Sequence, residues 1–407
     1  MVATASGEEL IHALPSLHHL LAKAHSWCHA SRINAVNFGV QALIRRQTLT
    51  VTGLGRANVG QQASAKHTIK RLDRLIGNSS LQLEVDLFAR LLASRVIRES
   101  KSPTILVDWT KLYGDFHVLA AAIPRDGRAL MLCWEIHREH NFAKPGVQKR
   151  FLQRLARIIP ESATPTIVTD AGFHAPWFRS VRELGWNYVG RVRGGVKFTA
   201  DGQHWEPAKS LYALAQTKAK RVGRFIVSKS NPIEHTLVAV RPRKKPGRKK
   251  KKSKVKLPPG IPRRGAQHPG LSRTEQRNLY RSQAAEPWLL ATSLTLEPTQ
   301  IQSIYAQRMQ IEETFRHLKS QTMGWRFERT RTKSPKRLRV MMLLAAIAMV
   351  LLEELGAVLE RAGVNRHYQP NTTTHRRVLS HLRLAEEHLA RAGPWRPRRS
   401  RLSNPRP

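Results

Sequence analysis

Cysteine is nearly missing from this sequence: 407 residues hold two, Cys28 and Cys133. Neither a disulfide framework nor a cysteine-rich zinc site can be built from them, and the implied compartment is reducing or indifferent to redox. Acids are scarce as well, with 28 Asp and Glu against 70 Lys and Arg and a formal charge of +42. The excess is spread over the whole chain, so the natural partner is a polyanion. Nucleic acid answers best, because each Lys or Arg set on a phosphate releases condensed counterions. A long apolar run is the third thing lacking. The longest, Val340 to Leu352, falls short of the roughly 20 residues that span a bilayer, reads as a buried helix, and leaves no membrane partner to expect. The opening residues Met1 to Glu9 contain no basic segment followed by an apolar one, so no secretion signal is read and the cytoplasm, at the chromosome, is the expected location.

What is present divides into segments. The length suits two or three compact units of roughly 100 to 200 residues each. Residues 1–100 alternate helix-like stretches with Gly-containing breaks and show no strand, which predicts a helical N-terminal domain. Within it, Ser64 to Gly77 sets Ile69, Leu72, Leu75 and Ile76 on one helical face, while Lys66, Lys70 and Arg74 lie four apart on another, with Arg71 beside them. Such a helix suits contact with DNA, and equally an amphipathic surface helix with solvated lysines. Residues 101–194 change pattern. Thr104 to Trp109, Phe116 to Ile123 and Ala129 to Ile136 read as strands, the last two joined through Arg125-Asp126-Gly127 as a hairpin. A helix (147–159), a strand (166–170), a helix (177–184) and a strand (186–192) follow. That succession predicts an α/β fold with a ribonuclease-H-like mixed sheet flanked by helices. Residues 195–296 read as a β-rich insertion carrying a basic mobile loop, 241–264. Residues 297–330 return to helix as part of the core, 331–393 form a C-terminal helical region, and 394–407 are an Arg- and Pro-rich tail expected to be disordered.

Two acids end short buried strands: Asp108 after Ile-Leu-Val and Asp170 after Thr-Ile-Val-Thr. Ligands of open sheets bind at that edge, and carboxylates brought together repel unless a hard cation such as Mg²⁺ lies between them. Taken singly, a strand-end Asp is more often a turn residue or helix cap. The stretch from Pro298 to Lys319 reads as one helix. On it Tyr305, Arg308, Glu312, Arg316 and Lys319 fall in one narrow stripe, beside an apolar stripe of Ile304, Ile311, Phe315 and Leu318. Cations flanking Glu312 suit a metal ligand whose neighbours grip phosphates; a surface ladder Arg308-Glu312-Arg316 is the plainer reading.

At this point a resemblance becomes specific. Tyr305-x-x-Arg308-x-x-x-Glu312 followed by Lys319 resembles the Tyr-Arg-Glu-Lys signature of the IS-four family of bacterial insertion-sequence transposases, a DDE type. Ile105-Leu-Val-Asp-Trp109, Ile167-Val-Thr-Asp-Ala-Gly-Phe173 and Arg308-Met-Gln-Ile-Glu-Glu-Thr-Phe315 resemble its acid-bearing blocks, and the likeness runs from the Lys66 helix to about Leu384. The resemblance implies Asp108, Asp170 and Glu312 as catalytic metal ligands for two Mg²⁺ ions, with Mn²⁺ able to substitute. Tyr305, Arg308, Arg316 and Lys319 would bind DNA phosphates. It further implies cut-and-paste transposition: cleavage of element ends through a hairpin, joining of 3′ ends to target DNA, and a homodimer in the synaptic complex on double-stranded DNA in the bacterial nucleoid. Lys66, Lys70, Arg71 and Arg74 would recognise the terminal inverted repeats. Trp288 resembles the family's base-flipping tryptophan, and Met309 stands where some relatives carry a second one. The alternatives are a structure-selective metal-dependent nuclease and an inactive, transposase-derived DNA-binding protein.

Overall fold

The computed structural model describes residues 16–57, 64–242, 275, 286–322 and 324–391. They fall into two compact units. The first takes the described residues up to Val168, Leu184–Trp186 and those from Gln307 on; the second takes Thr169–Glu183 and those between Asn187 and Ala306.

The first unit opens with helical residues 16–22 (α1) and the helices α2 (Ala30–Arg46), α3 (Val51–Ala57), α4 (Ala65–Gly77) and α5 (Ser79–Ile97). Local chemistry starts the later two. Ser64 caps α4 by accepting from the His67 amide, and the Asn78 side chain accepts from Leu81 N at 2.8 Å to cap α5, satisfying amides that lack intrahelical partners. The expected division at residue 100 does not coincide with a break between compact units. The N-terminal helices α2, α4 and α5 instead pack on α10 (Pro335–Arg361). From Val340 to Leu352 every residue of α10 is buried. The helix exceeds the apolar run visible in the sequence and is long and apolar enough to cross a membrane, yet 83% of its most apolar window is buried inside the protein.

The strands of this unit are β1 (Thr104–Lys111), β2 (Phe116–Arg125), β3 (Arg128–Arg138) and β4 (Thr166–Thr169, its last residue assigned to the second unit), in the order β3-β2-β1-β4. β1, β2 and β3 form an antiparallel meander; Asp108, opposite Ala120, lies inside β1 and not at its end as expected, because the pairing with β2 runs on to Lys111 opposite His117. Gly127, at φ 96°, closes the expected hairpin in a conformation that a side chain would strain. Thr164 N donates to Lys101 O and Thr166 N to Pro103 O, a constant offset that makes the approach of β4 to β1 parallel. Helix α6 (Pro145–Ile158) supplies the crossover. This is the mixed α/β arrangement expected of a ribonuclease-H-like core. Both cysteines are buried and unbridged; burial, with Glu84 adding, pushes the Cys28 thiol up to about 11, and burial pushes that of Cys133 up to about 12.

The second unit holds α7 (Ala175–Glu183) and six strands in the order β5-β10-β9-β8-β6-β7. These are β5 (Asn187–Val192), β6 (Lys197–Thr199), β7 (Glu206–Pro207), β8 (Lys220–Val227), β9 (Ile233–Val240) and β10 (Trp288–Thr292), all antiparallel to their neighbours. Its core gathers Val192, Phe198, Leu211, Leu237 and Leu289. Helix α8 (Pro298–Ala306) closes this unit. The expected basic loop lies outside the described residues from 243 on, as does the whole of 394–407.

Candidate active site

The single helix expected over 298–319 is two: α8 ends at Ala306 and α9 (Met309–Lys319) begins after a turn at Gln307 and Arg308. Gln310 N bonds to Gln307 O, and Ile311 N to Arg308 O. These three-residue steps are tighter than α-helical ones and open α9 as a helix of its own. The continuous stripe from Tyr305 to Lys319 is therefore corrected: Tyr305 belongs to the second unit, and Arg308, Glu312, Arg316 and Lys319 belong to the first.

In the first unit the site is built from β1 and α9. Ile105, Leu106 and Val107 are fully buried and carry Asp108 into a place where 8% of it remains exposed. Its Oδ1 accepts from Trp109 N at 2.8 Å. Helix α9 buries Ile311, Thr314, Phe315 and Leu318. Thr314 Oγ1 accepts from Ala129 N at 2.8 Å and lies 2.9 Å from Ala129 O, tying the middle of the helix to the start of β3. At its end, Lys319 Nζ donates to Thr110 Oγ1 at 2.8 Å and to Lys111 O at 3.0 Å, tying it to β1. Fixed at both places, α9 brings Arg308 between two acids. Nη2 lies 2.6 Å from Glu312 Oε1 and Nη1 lies 3.8 Å from Asp108 Oδ2, with the guanidinium side chain 15% exposed. Two of the three expected acids thus converge on one cation.

The other expected residues stand as follows. Asp170 follows β4 directly, belongs to the second unit and is half-buried, its Oδ1 accepting from Gly172 N at 2.8 Å. Arg316 is exposed and pairs with Glu313, not with Glu312; Glu313 also faces Arg128 at 3.7 Å. Met309 is 46% exposed, its sulfur 3.8 Å from Arg308 Nη2. In the second unit Trp288 stands edge-on to Tyr305, ring centres 5.0 Å apart, and Tyr305 is buried. On α4, Lys66, Lys70, Arg71 and Arg74 are all exposed, while Leu72, Leu75 and Ile76 are buried. Arg71 lies over the Phe38 ring at 4.2 Å. Gly55 of α3 faces Ile69 so closely that an added Cβ would meet its Cγ1 at 2.4 Å, which sets how near the two helices cross.

The family model for the transposase DDE domain matches residues 100–351. The chain belongs to that family. No curated protein matches it. The matched span of the DDE domain begins just before β1 and ends within α10, and so contains all three acids. Among the described residues, no three His, Cys, Asp or Glu side chains gather as a group that could hold a metal ion. The donor chemistry of the pair nevertheless fits a hard cation. Asp108 and Glu312 offer carboxylate oxygens, the donors a hard cation takes, one of them on a nearly buried side chain, while Arg308 supplies the positive charge between them in this structure.

Thr314 and Lys319 act in ways that the residue pattern did not disclose. A threonine inside the apolar stripe Ile311-Phe315-Leu318 was the available signal for the first. Lys319 was expected as a phosphate ligand; what the structure gives it is the fastening of α9 to β1.

Proposed function

We propose that this transposase moves DNA by cut and paste, binding the terminal inverted repeats of its element, freeing the ends through a hairpin intermediate and joining the 3′ ends to a target. The observation that carries this reading is the meeting of Asp108 and Glu312 on Arg308, within a chain whose excess of cations suits DNA. Asp108 and Glu312 would hold divalent metal, Mg²⁺ with Mn²⁺ as substitute, and Asp170 is the third acid by its place in the motif. Bound there, two such ions would lower the barrier to in-line displacement at phosphorus by polarising the attacking oxygen and stabilising the leaving one. The protein's own part is orientation. Arg308 presents a planar cation at the acids, and it would also serve the scissile phosphate, with Lys319, Arg316 and Tyr305 assigned by motif to the flanking phosphates.

No covalent protein intermediate is needed for these displacements, which agrees with two cysteines buried away from solvent. Trp288 and Met309 would receive or displace a base when the hairpin bends the strand; stacking of that kind is worth about 1 to 3 kcal/mol per base. The exposed cations of α4 would read the element ends. The finer likeness, by its acid-bearing blocks, is to the transposase of transposon Tn-ten. A homodimer pairing two ends, in the cytoplasm at the bacterial nucleoid, completes the reading.

The test is a duplex carrying the inverted repeats that bracket the gene, incubated with Mg²⁺. Nicked, hairpin and strand-transfer products are expected from the native chain, and none from Asp108→Asn, Asp170→Asn or Glu312→Gln, with DNA affinity kept. Cleavage without hairpin or joining would identify a structure-selective nuclease. If native chain and variants are equally inert with Mg²⁺ and Mn²⁺, the chain is a DNA-binding protein only.

A further inference from the structure

Beyond α10 the chain runs Arg361-Ala-Gly-Val-Asn-Arg-His-Tyr-Gln-Pro-Asn-Thr-Thr-Thr-His-Arg-Arg377, a stretch with four arginines, two histidines and no acid. Gly363, at φ 75°, ends the helix, and a short 3-10 turn, Val364–Tyr368, turns the chain back. Together these residues surround a cleft of about 320 Å³, lined among others by Glu360, Arg366, Gln369, His375, Arg376 and Arg377. Its shape is fixed by the loop's own bonds. Arg366 Nη1 donates to Thr374 O at 3.3 Å, and Gln369 Nε2 to Thr373 O at 2.6 Å.

Charge in the cleft is unbalanced. Its one acid, Glu360, is matched twice, by Arg377 Nη1 at 2.6 Å and by His381 Nε2 at 2.5 Å. Arg366 and Arg376 are exposed, and among the described residues neither has an acid partner. A concave wall carrying two guanidinium groups with no acid partner among the described residues suits a phosphate, which the planar fork of arginine grips with paired hydrogen bonds.

We propose that this cleft binds the phosphodiester backbone of duplex DNA as a second contact, apart from the residues that do chemistry. The choice of DNA rests on the transposase reading; the anion preference rests on the cleft itself. The position makes it an affinity site. Arg377 Nη2 donates to Asp126 O at 3.1 Å, at the β2–β3 turn, whereas Asp108 lies opposite Ala120. Asp126 directly follows β2 and is six residues beyond Ala120, about 20 Å at roughly 3.3 Å per residue. At 3.4 Å per base pair along one strand, that corresponds to about six base pairs. Arg366 and Arg376 therefore hold DNA without touching the reacting phosphate.

The experiment uses the full chain in EDTA, so that no cleavage intervenes, with a fluorescent duplex carrying the bracketing repeats and anisotropy read across a salt series. Each phosphate contact contributes about 0.9 to the slope of log K against log salt. The double variant Arg366→Ala/Arg376→Ala is expected to lower that slope by about 1.8, while Arg366→Lys/Arg376→Lys keeps it. Thermal unfolding of both variants should match the native chain, which separates lost contact from lost fold. In Mg²⁺ the alanine variant should raise KM and leave kcat near the native value. An unchanged slope in a folded alanine variant overturns the proposal, even if inorganic phosphate still binds the protein. Asp108→Asn serves as the independent control: it should abolish cutting and leave the slope intact, so failure of the catalytic reading and failure of this one give different results.

Discussion

Arg308 is the residue on which the site turns, because it touches both acids that share its unit. A guanidinium offers a rigid fork able to face two carboxylates at once, while an ammonium presents a single point charge. Arg308→Ala is therefore expected to lower Mg²⁺-dependent cleavage by about 100-fold or more, the scale seen when one preorganised donor is removed from an active site. Arg308→Lys should recover only part of it. Rates on a saturating duplex, set beside anisotropy with the same DNA, check this; a comparable loss of affinity would assign Arg308 to binding instead. Asp108 was legible as an acid that follows a buried apolar run, but the strand end expected there was not found, because β1 continues through Trp109, Thr110 and Lys111. Arg308 was legible as a cation near Glu312, but its reach to Asp108 was not, since that contact crosses 200 residues of chain. The Tyr305 to Lys319 stripe misled for a local reason. Its spacing is helical throughout, and the turn at Gln307 and Arg308 that interrupts the helix leaves no mark in that spacing.

Elements were the most legible level where periodicity was strong. The β1–β3 meander, α6, β4 and α7 lie within a few residues of expectation, because alternation, β-branched runs and the Asp126-Gly127 turn act locally. What holds the elements together was hidden, since it depends on partners distant in sequence. Helix α11 (His381–Arg391) is the clearest case. Its Glu386, 1% exposed, accepts from Trp325 Nε1 at 2.6 Å and from Arg383 Nη1 at 3.0 Å. His317 Nε2 of α9 lies 3.1 Å from the same carboxylate, off the line of a hydrogen bond. The C-terminal helix is thereby joined to the helix that carries Glu312. Glu386→Ala leaves an indole N–H and a guanidinium without their acceptor in a buried place, and should cost about 3 to 5 kcal/mol. Glu386→Gln keeps an acceptor for Trp325 and should cost less. Urea unfolding followed by tryptophan fluorescence measures both; equal losses would place the effect in packing and not in the charge.

Over the whole chain cations exceed acids by 42, and repulsion of that kind weakens a folded state unless acids are placed where they count. Several of the acids sit in buried or half-buried clusters. Asp86 meets both Arg154 and Arg339, and although burial alone would raise its carboxyl, the two cations hold it below the usual range. Glu360 is held low in the same way, by His381 and Arg377 against burial. His381 responds in the opposite direction. Burial would lower its imidazole, but hydrogen bonds to Glu353 and Glu360 outweigh that and raise it above the ordinary 6.5. A group whose folded value is raised contributes fully below its unfolded value and loses that contribution as pH climbs through the folded one. The carboxylates do the reverse, contributing above the ordinary carboxylate range and failing as acid protonates them. Stability should consequently fall at both ends, and the alkaline fall should trace to His381. The difference in unfolding free energy between native chain and His381→Gln is expected to be largest near pH 6 and to shrink as pH rises past the raised value. Chemical denaturation at fixed ionic strength from pH 5 to 9 reads it directly. A difference constant across that range would mean that His381 acts as a neutral hydrogen-bonding group, and the alkaline limb would then belong to the excess of cations as a whole.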